Sequence, residues 1–485
     1  MKKLCISICV VLCLSSGLGG ETISLERLLD IVKSTHPLII DKNLTPEIEV
    51  ERRLRYTTAE DWVLDGSASL LHSKPISTSP FSPTTLDAFG LSASLSRSLW
   101  STGGRLKFDW SSDLTEQTLA DLSFPGPGVS ETITTGAPRL YEHALSLSYS
   151  QPLLRNYGGS LSRLDYDLAE HTIDISRLQA LENQELFLLD IALTFIDWTL
   201  LEEQKRITDE RLQLAIDQLE LTNEKRQANL VDQVDVLRSE DAVRTARQNA
   251  VLLDSRSRAK RAELAVLAQT DSIRRLQPDY DLYEGVSYPG SDEALAVLEA
   301  SSRTLRALEA RQRQLEVLHG GFLEQERPSL DVSVGLKMMG GDDSFGSSLD
   351  ITQPDFAVSL LLTQPLGARA ARSGATQTEL EMQQNQMRYQ RALLDLRSRL
   401  DALLIQLTDF EEILMLNRKE IESAQQKAAE ELRLYNQGRG ELTFVVQARD
   451  NEQNARLLYA ENAANYHRLY QQYLALSDLL MTEGR

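Results

Sequence analysis

The sequence predicts a mixed α and β membrane protein in which a long α-helical coiled-coil barrel is continuous with a transmembrane β-barrel. Twice, a Gln-Pro-Leu tripeptide separates an alternating, strand-like run from a proline-free stretch of about 120 residues. Because proline is excluded from helix interiors, both stretches are free to be helical. The repeated order predicts two tandem repeats, residues 21–278 and 279–485. The two junctions consist of Gln151, Pro152 and Leu153, and of Gln364, Pro365 and Leu366.

Residues 1–20 have the pattern of a secretory signal peptide. Two lysines precede an apolar run at residues 4–14, and Gly17 and Gly19 have the small-x-small spacing of a cleavage site. The run is well short of the roughly 20 residues of a membrane-spanning helix, which makes a membrane anchor the weaker alternative. The cysteines of the chain are Cys5, Cys9 and Cys13. We therefore expect an exported mature chain without thiols, disulfides or cysteine metal ligands.

The composition is acidic, with a formal net charge of −20. Removal of residues 1–20 takes away two lysines and no acid, which makes the net charge −22. Such a surface repels phosphate backbones, so no nucleic-acid partner is expected. No later segment contains 18 consecutive apolar residues, and no helix is expected to cross a bilayer.

Five segments alternate between apolar residues and small or polar residues, as strands with two different faces do. They begin at Leu64, Phe89, Leu145, Val332 and Phe356. A soluble, half-buried sheet gives the same alternation. Membrane strands are favoured because the second face is mostly Ser, Gly and Thr, because the strands approach the length of about 9–11 residues that spans a membrane, and because export is predicted. Loops rich in Pro, Gly, Ser and Asp, as outward-facing barrel loops often are, occupy residues 72–88, 115–141 and 340–355.

Shorter helical stretches precede the strands in each half, at residues 24–60, broken near Pro46, and at residues 291–326. In the long blocks, the 3,4 spacing that starts at Leu393 and Leu396 predicts a coiled-coil seam. Each long block must also reverse direction. Gly438 and Asn229 are the candidates for the two turns, because glycine and asparagine accept the left-handed conformation at a helix C-terminus.

Membrane strands must close into a barrel, because an unpaired backbone group in lipid is costly. Four main strands per chain are too few, since the smallest bacterial barrels have eight. Identical subunits that join edge to edge give a ring, and their helices would pack side by side as a hollow cylinder. The pattern therefore predicts a conduit made of several copies of the chain.

The ordered set of features resembles the TolC-like outer-membrane efflux and secretion channels, also called outer membrane factors. The resemblance is carried by the doubled strand and helical-hairpin plan, the two junctions, the segments Ser24-Leu25-Glu26-Arg27-Leu28-Leu29 and His36-Pro37-Leu38, and the turn at Gly438. It covers nearly the whole mature chain. It implies an outer-membrane homotrimer with four strands per protomer and a long periplasmic extension, which works with a periplasmic adaptor protein and an inner-membrane transporter in a tripartite efflux or type I secretion system.

The resemblance also implies functional positions near the two turns. An adaptor would dock at Asn229 and Leu230 and at Gly438, Arg439 and Gly440. Members of the family often narrow the periplasmic tip with acidic residues, a role that Asp235 matches in the first repeat. The second repeat has Phe444 and Gln447 there instead, so the alternatives are a partly apolar gate and a gate built from Asp232 and Asp235. A solvated helix-start residue is the other interpretation of Asp235.

One segment departs from the family pattern. Residues 89–99 and 105–111 flank Ser101-Thr102-Gly103-Gly104 and predict an additional hairpin in the first repeat. Four main strands with a peripheral hairpin are favoured; six strands per protomer are the alternative.

No pattern of an enzyme was found. The six histidines are scattered, and the sequence contains no Walker loop and no Gly-x-Ser-x-Gly elbow. No metal, cofactor or catalytic residue is therefore expected. The rival functions are a coiled-coil structural or adhesive cell-surface protein, and a periplasmic adaptor, which would have one helical hairpin rather than two.

Overall fold

The computed structural model of the chain describes residues 21–76, 83–119, 122–126, 129–133 and 139–481. The predicted signal peptide with its cysteines lies outside the described residues and stays a prediction. The chain divides into two compact units, each of which takes segments from both halves of the sequence. Of the described residues, the helical unit contains 21–44, 179–305 and 391–481, and the sheet unit contains those within 45–178 and 306–390.

Long helices dominate the chain, as the proline-free stretches predict. The helices are α1 (Leu25–Thr35), α2 (Pro37–Tyr56), α3 (Leu164–Gln227), α4 (Gln233–Leu267), α5 (Ser291–Ser301), α6 (Arg303–Glu326), α7 (Phe345–Ser348), α8 (Arg369–Asn436) and α9 (Leu442–Leu476). The outgoing helices α3 and α8 have 64 and 68 residues, and the returning helices α4 and α9 have 35 each. Among the described residues, we find no helix with the length and apolar character needed to cross a membrane.

The predicted break near Pro46 is wrong. α2 continues through Pro46, and the interruption lies at His36, between α1 and α2. Pro37 is the first residue of α2, where its fixed φ suits the helix and its missing N–H removes no bond. The second half is interrupted in the same way, at Ser302 between α5 and α6.

Side chains of α3 form the main core of the helical unit. Leu188, Ile191, Phe195 and Trp198 are fully buried and pack with Leu28 of α1 and with α4. The tyrosines of α9 are also core residues, since Tyr466 and Tyr473 are buried against α5 and α8. A short parallel pair, β1 (Thr22–Ile23) with β8 (Gln277–Pro278), also belongs to this unit.

The sheet unit contains one six-stranded antiparallel sheet. Its strands are β2 (Val63–Ser73), β3 (Pro83–Leu99), β4 (Gly104–Leu119), β7 (Arg139–Pro152), β9 (Ser329–Asp342) and β10 (Gln353–Thr363), in the spatial order β10-β9-β7-β4-β3-β2. A separate hairpin, β5 (Leu122–Gly126) with β6 (Val129–Ile133), interrupts the connection from β4 to β7. All neighbours in the large sheet are antiparallel, so the sheet needs no crossover between parallel strands.

The structure corrects the prediction of four main strands with a peripheral hairpin. β3 and β4 have 17 and 16 residues, which makes them the longest strands of the sheet, and they lie in its interior between β2 and β7. The residues of this segment alternate as regularly as those of the other strands. Alternation identifies the strands of this segment but does not show that they lie inside the sheet, so the sequence did not exclude a peripheral hairpin.

Candidate functional sites in the sheet and at the hairpin turns

The large sheet has one apolar face and one polar face. The strand register aligns side chains into rows that cross all six strands. One row consists of Leu64, Leu95, Phe108, Leu147, Leu336 and Phe356, and the row two residues further on of Gly66, Ala93, Trp110, Leu145, Met338 and Pro354. The row between them, on the opposite face, consists of Asp65, Ser94, Asp109, Ser146, Lys337 and Asp355. Two such faces suit a sheet that separates an apolar medium from water.

The apolar face is exposed among the described residues. Leu64 and Phe356 are 73% and 71% exposed, and Phe108, Leu147 and Leu336 of the same row are also exposed. Soluble monomers rarely expose a contiguous apolar surface of this extent, and such surfaces mark contacts with lipid or with other proteins.

The polar face is lined mostly by serine and carries more acids than bases. The acids on this face are Asp65, Asp109, Asp113, Glu142, Asp331 and Asp355, and the bases are Arg105, Lys107 and Lys337. Lys107 forms an ion pair with Asp109 at 2.5 Å. The sequence alone does not predict this charge distribution, because the register that brings the acids of different strands to one face is not visible in it.

Both edges of the sheet are open within the described residues. β2 and β10 each have 11 residues, and every residue of β10 and all but the last of β2 are exposed. The two edge strands run in opposite directions, because five antiparallel pairings separate them. An exposed edge strand presents a row of unpaired N–H and C=O groups that can pair with another chain.

The two Gln-Pro-Leu junctions share one local contact and differ in the rest. In each, the glutamine Nε2 donates to the carbonyl oxygen of the following proline, at 3.0 Å from Gln151 and 3.2 Å from Gln364. Gln151 also donates to the Thr102 carbonyl in the β3–β4 turn at 2.7 Å, and the Leu153 N–H donates to the Leu330 carbonyl at 2.7 Å. The second junction follows the open edge strand β10, and its Leu366 is 98% exposed.

The two long hairpins reverse through the same backbone motif. Asn229 and Gly438 have φ values of 56° and 71°, in the left-handed region. At the first turn, the Leu230 N–H donates to the Lys225 carbonyl at 2.8 Å; at the second, the Arg439 N–H donates to the Leu434 carbonyl at 3.0 Å. These bonds define a Schellman motif at the end of α3 and of α8. Gly440 approaches its own helix closely, since a Cβ there would lie 3.1 Å from the Tyr435 nitrogen.

The helical unit brings the two turns together. The ammonium group of Lys225 lies 3.8 Å from the centre of the Tyr435 ring and donates to Asn436 Oδ1 at 3.1 Å. Burial lowers the pKa of Lys225. Val231 packs on a small core around Tyr435 and Leu442. The tip of each hairpin is thus held by the other.

The predicted gate residues have different surroundings. Asp232 is the N-cap of α4 without a side-chain capping bond, and Asp235 accepts from Arg238 on the same helix at 3.3 Å. Phe444 is half exposed. Gln447 is exposed and lines a groove of about 690 Å³ between α4 and α9. The structure therefore places all four near the turns but does not join them into one cluster.

A buried ionic cluster was not predicted from the sequence. Arg303 at the start of α6 is 4% exposed and pairs with Glu185 of α3, which is 2% exposed, and with Asp478 at 3.2 Å. Its Nη2 also donates to the Met481 carbonyl at 2.8 Å, and the Leu480 N–H donates to Glu185 at 2.9 Å. Through these ion pairs and hydrogen bonds, the residues after α9 bind to α3 and to the start of α6. More than a hundred residues separate each partner from Arg303 along the chain, so no local pattern reveals the cluster.

The described residues contain no group of three or more His, Cys, Asp or Glu side chains that could hold a metal ion.

Glu202 of α3 is another acid of the helical unit with several hydrogen-bond donors. Its carboxylate accepts from Ser257 at 2.6 Å, from Trp198 at 3.2 Å and from Arg261. Burial alone would raise the pKa of Glu202, but these donors lower it below its ordinary value. Glu202 therefore stays charged and bridges α3 to α4.

Comparison with solved structures places the fold among the outer-membrane channels. VceC, an outer membrane protein of Vibrio cholerae, has a TM-score of 0.65 at 12% identity, over 93% of this chain and 96% of its own. CmeC, an outer membrane channel of Campylobacter jejuni, has a TM-score of 0.64 at 12% identity, over 95% and 87%. MtrE, an outer membrane channel of Neisseria gonorrhoeae, has a TM-score of 0.59 at 15% identity, over 94% and 89%.

No protein-family model matches the sequence, and no curated protein matches it. The chain thus has the fold of the outer membrane factor channels, and the resemblance to the TolC-like channels is confirmed at the level of the fold. At such low identity, the order of the elements in the sequence indicates this fold, whereas no single motif does.

Proposed function

We propose that the protein is the channel subunit through which cargo crosses the outer membrane, as a passive conduit without catalysis of its own. The observation that supports this function best is the two-faced sheet, with an exposed apolar face and two open edges. In lipid, the edges must be paired, and further copies of the same chain can pair them. The antiparallel directions and equal lengths of β2 and β10 suit such a pairing.

The number of copies is proposed to be three, by analogy with the family that the fold resembles. Each copy would then be built from two tandem repeats, and the helical hairpins of the copies would line a tube in the periplasm. The matched lengths of α4 and α9 and the common motif at Asn229 and Gly438 support this plan. Outer-membrane lipid would cover the apolar face.

The adjacent hairpin turns are the proposed site for a periplasmic adaptor, which would link the channel to an inner-membrane transporter. Leu230 supports this role because it is 72% exposed at the turn, where an apolar side chain gains nothing from water. Asp232, Asp235, Phe444 and Gln447 are proposed to line the periplasmic opening.

Purification from outer membranes tests the function. We expect a heat-sensitive trimer that conducts ions in planar bilayers. A chain that stays a folded monomer in detergent-free buffer would contradict the channel and would favour the adhesive or structural protein.

Conductance also tests the gate. Asp235→Ala is expected to change the conductance or cation selectivity, because it removes an acid and leaves Arg238 unpaired. Asp241→Ala is the matched control, since Asp241 pairs with Arg244 on the same helix at 2.8 Å, one to two turns further from the hairpin end. Equal behaviour of the two variants would exclude Asp235 from the gate.

A further inference from the structure

The hairpin made by β3 and β4 is paired on both sides. Every residue of β2 pairs with β3, from Val63 opposite Ser96 to Ser73 opposite Leu86. On the other side, β4 pairs with β7 from Arg105 opposite Ser150 to Glu116 opposite Arg139. Removal of the hairpin from the sheet would therefore leave a gap of two strands between β2 and β7.

The two-faced pattern continues through this hairpin without interruption. In β3, Leu91, Ala93 and Leu95 share the face of Leu64, whereas Ser92 and Ser94 share the face of Asp65. In β4, the ion pair of Lys107 with Asp109 lies on the polar face. In a hairpin that lay outside the sheet, nothing would require the apolar and polar side chains to lie on the same faces as those of β2 and β7.

The turn of the hairpin forms hydrogen bonds with a residue just before β2 and with a residue near the end of β7. The Trp100 N–H donates to Glu60 at 2.9 Å, just before β2, and the Thr102 carbonyl accepts from Gln151 of the first junction at 2.7 Å. Gly103 has a φ of 74°, and a Cβ there would lie 3.1 Å from the Gly159 nitrogen, so only glycine fits this close approach.

We propose that β3 and β4 are full membrane strands, so that three copies with six strands each form an eighteen-stranded barrel. The inference rests on the proposed trimeric channel and deepens it. Because barrel diameter grows roughly in proportion to strand number, the opening is about 1.5 times as wide as that of a twelve-stranded barrel. Barrels of this size leave an aqueous channel. Its lumen is the face lined by serine and by a surplus of acids.

Cysteine labelling in outer-membrane vesicles tests the inference, because no cysteine follows Cys13 in the sequence. A charged, water-soluble maleimide should label lumen positions and not lipid-facing ones, since an apolar surrounding suppresses the reactive thiolate. In β4, Ser111→Cys and Ser112→Cys are matched, because adjacent serines point to opposite faces. We expect labelling at Ser111 and its loss at Ser112. The control pair in β9 is Ser333→Cys and Val334→Cys.

Disulfide cross-linking gives a second readout. The Ser67 and Ser92 hydroxyls lie 2.8 Å apart, so the pair Ser67→Cys and Ser92→Cys should cross-link. Ser67 and Ala144 are three strands apart, about 14 Å at the usual strand spacing, and cysteines there should not cross-link. If the hairpin lay outside the barrel, β2 would meet β7 and the second pair would cross-link instead.

The outcomes separate the two proposals. Alternate labelling in β9 but not in β4, or cross-linking of Ser67→Cys with Ala144→Cys, would overturn the eighteen-stranded barrel and leave the channel intact. Loss of alternate labelling in β9 as well would overturn the channel itself. Alternate labelling in both strands, with cross-linking only between β2 and β3, is the expected result.

Discussion

Arg303→Met is expected to destabilise the helical unit strongly. The side chain of Arg303 is almost completely buried and contacts Glu185, Asp478 and the Met481 carbonyl. Methionine has similar length but no charge, so the substitution leaves two carboxylates in a buried site without a cation. Removal of one partner from a buried ion pair costs about 3–5 kcal/mol. For a unit of this size, a loss of about 3–5 kcal/mol lowers the melting temperature by roughly 6–10 °C.

Thermal unfolding in detergent, followed by circular dichroism, measures this effect. The control is a triple variant with Arg303→Met, Glu185→Gln and Asp478→Asn, which removes every charge of the cluster while it keeps the shapes. Asparagine also suits position 478, whose φ is 57°. Since replacement of a whole buried ionic cluster is often neutral, the triple variant should recover most of the loss. Equal melting temperatures of the single variant and the wild type, or a triple variant below the single one, would refute the reasoning.

Four further variants, two of them a matched pair, test other features by thermal unfolding. Burial, together with Asp478, raises the pKa of Glu182, so the contribution of Glu182 to stability is full below about pH 4.5 and is lost as pH rises through the folded pKa. Glu182→Gln should therefore stabilise the protein at about pH 7 and not at about pH 4. An equal gain in stability at both pH values would contradict this. Burial lowers the pKa of His467, so the wild type should lose stability as pH falls below about 6.5. His467→Gln should not show that loss at low pH. At high pH the variant should be less stable than the wild type by about 1–3 kcal/mol, because the substitution disturbs the hydrogen bonds to Tyr280 and Leu282. Gly159→Ala should destabilise the protein more than Gly158→Ala. Both glycines have a positive φ, which costs about 1–2 kcal/mol for alanine, but only at Gly159 would a Cβ collide with the Trp100 carbonyl. Equal losses of stability would count against that close approach.

The sequence predicted most of the fold, because its strongest signals are periodic. Alternation at Leu64, Phe89, Leu145, Val332 and Phe356 indicated strands, and each of these residues lies in a strand of the large sheet. The absence of proline indicated the long helices. Proline is misleading at Pro46, because a proline inside an otherwise helical segment predicts a break there. The interruption lies instead at His36, where the next helix starts with Pro37.

Less of the candidate sites could be predicted. Asn229 and Gly438 were found because the left-handed conformation restricts residue choice. The interior position of β3 and β4 was missed, because alternation identifies strands but not their neighbours. The cluster around Arg303 and the surplus of acids on the polar face depend on contacts between distant segments, which a single sequence does not disclose.

The exposed apolar face has a consequence for biogenesis. On the proposed function, a newly exported copy in the aqueous periplasm would carry a sheet that water solvates poorly on one side and whose two edges are open within the described residues. The helical unit has a buried core of its own and does not share this problem. We therefore expect the helices to mature early, while the sheet depends on a holding chaperone until insertion and assembly take place together.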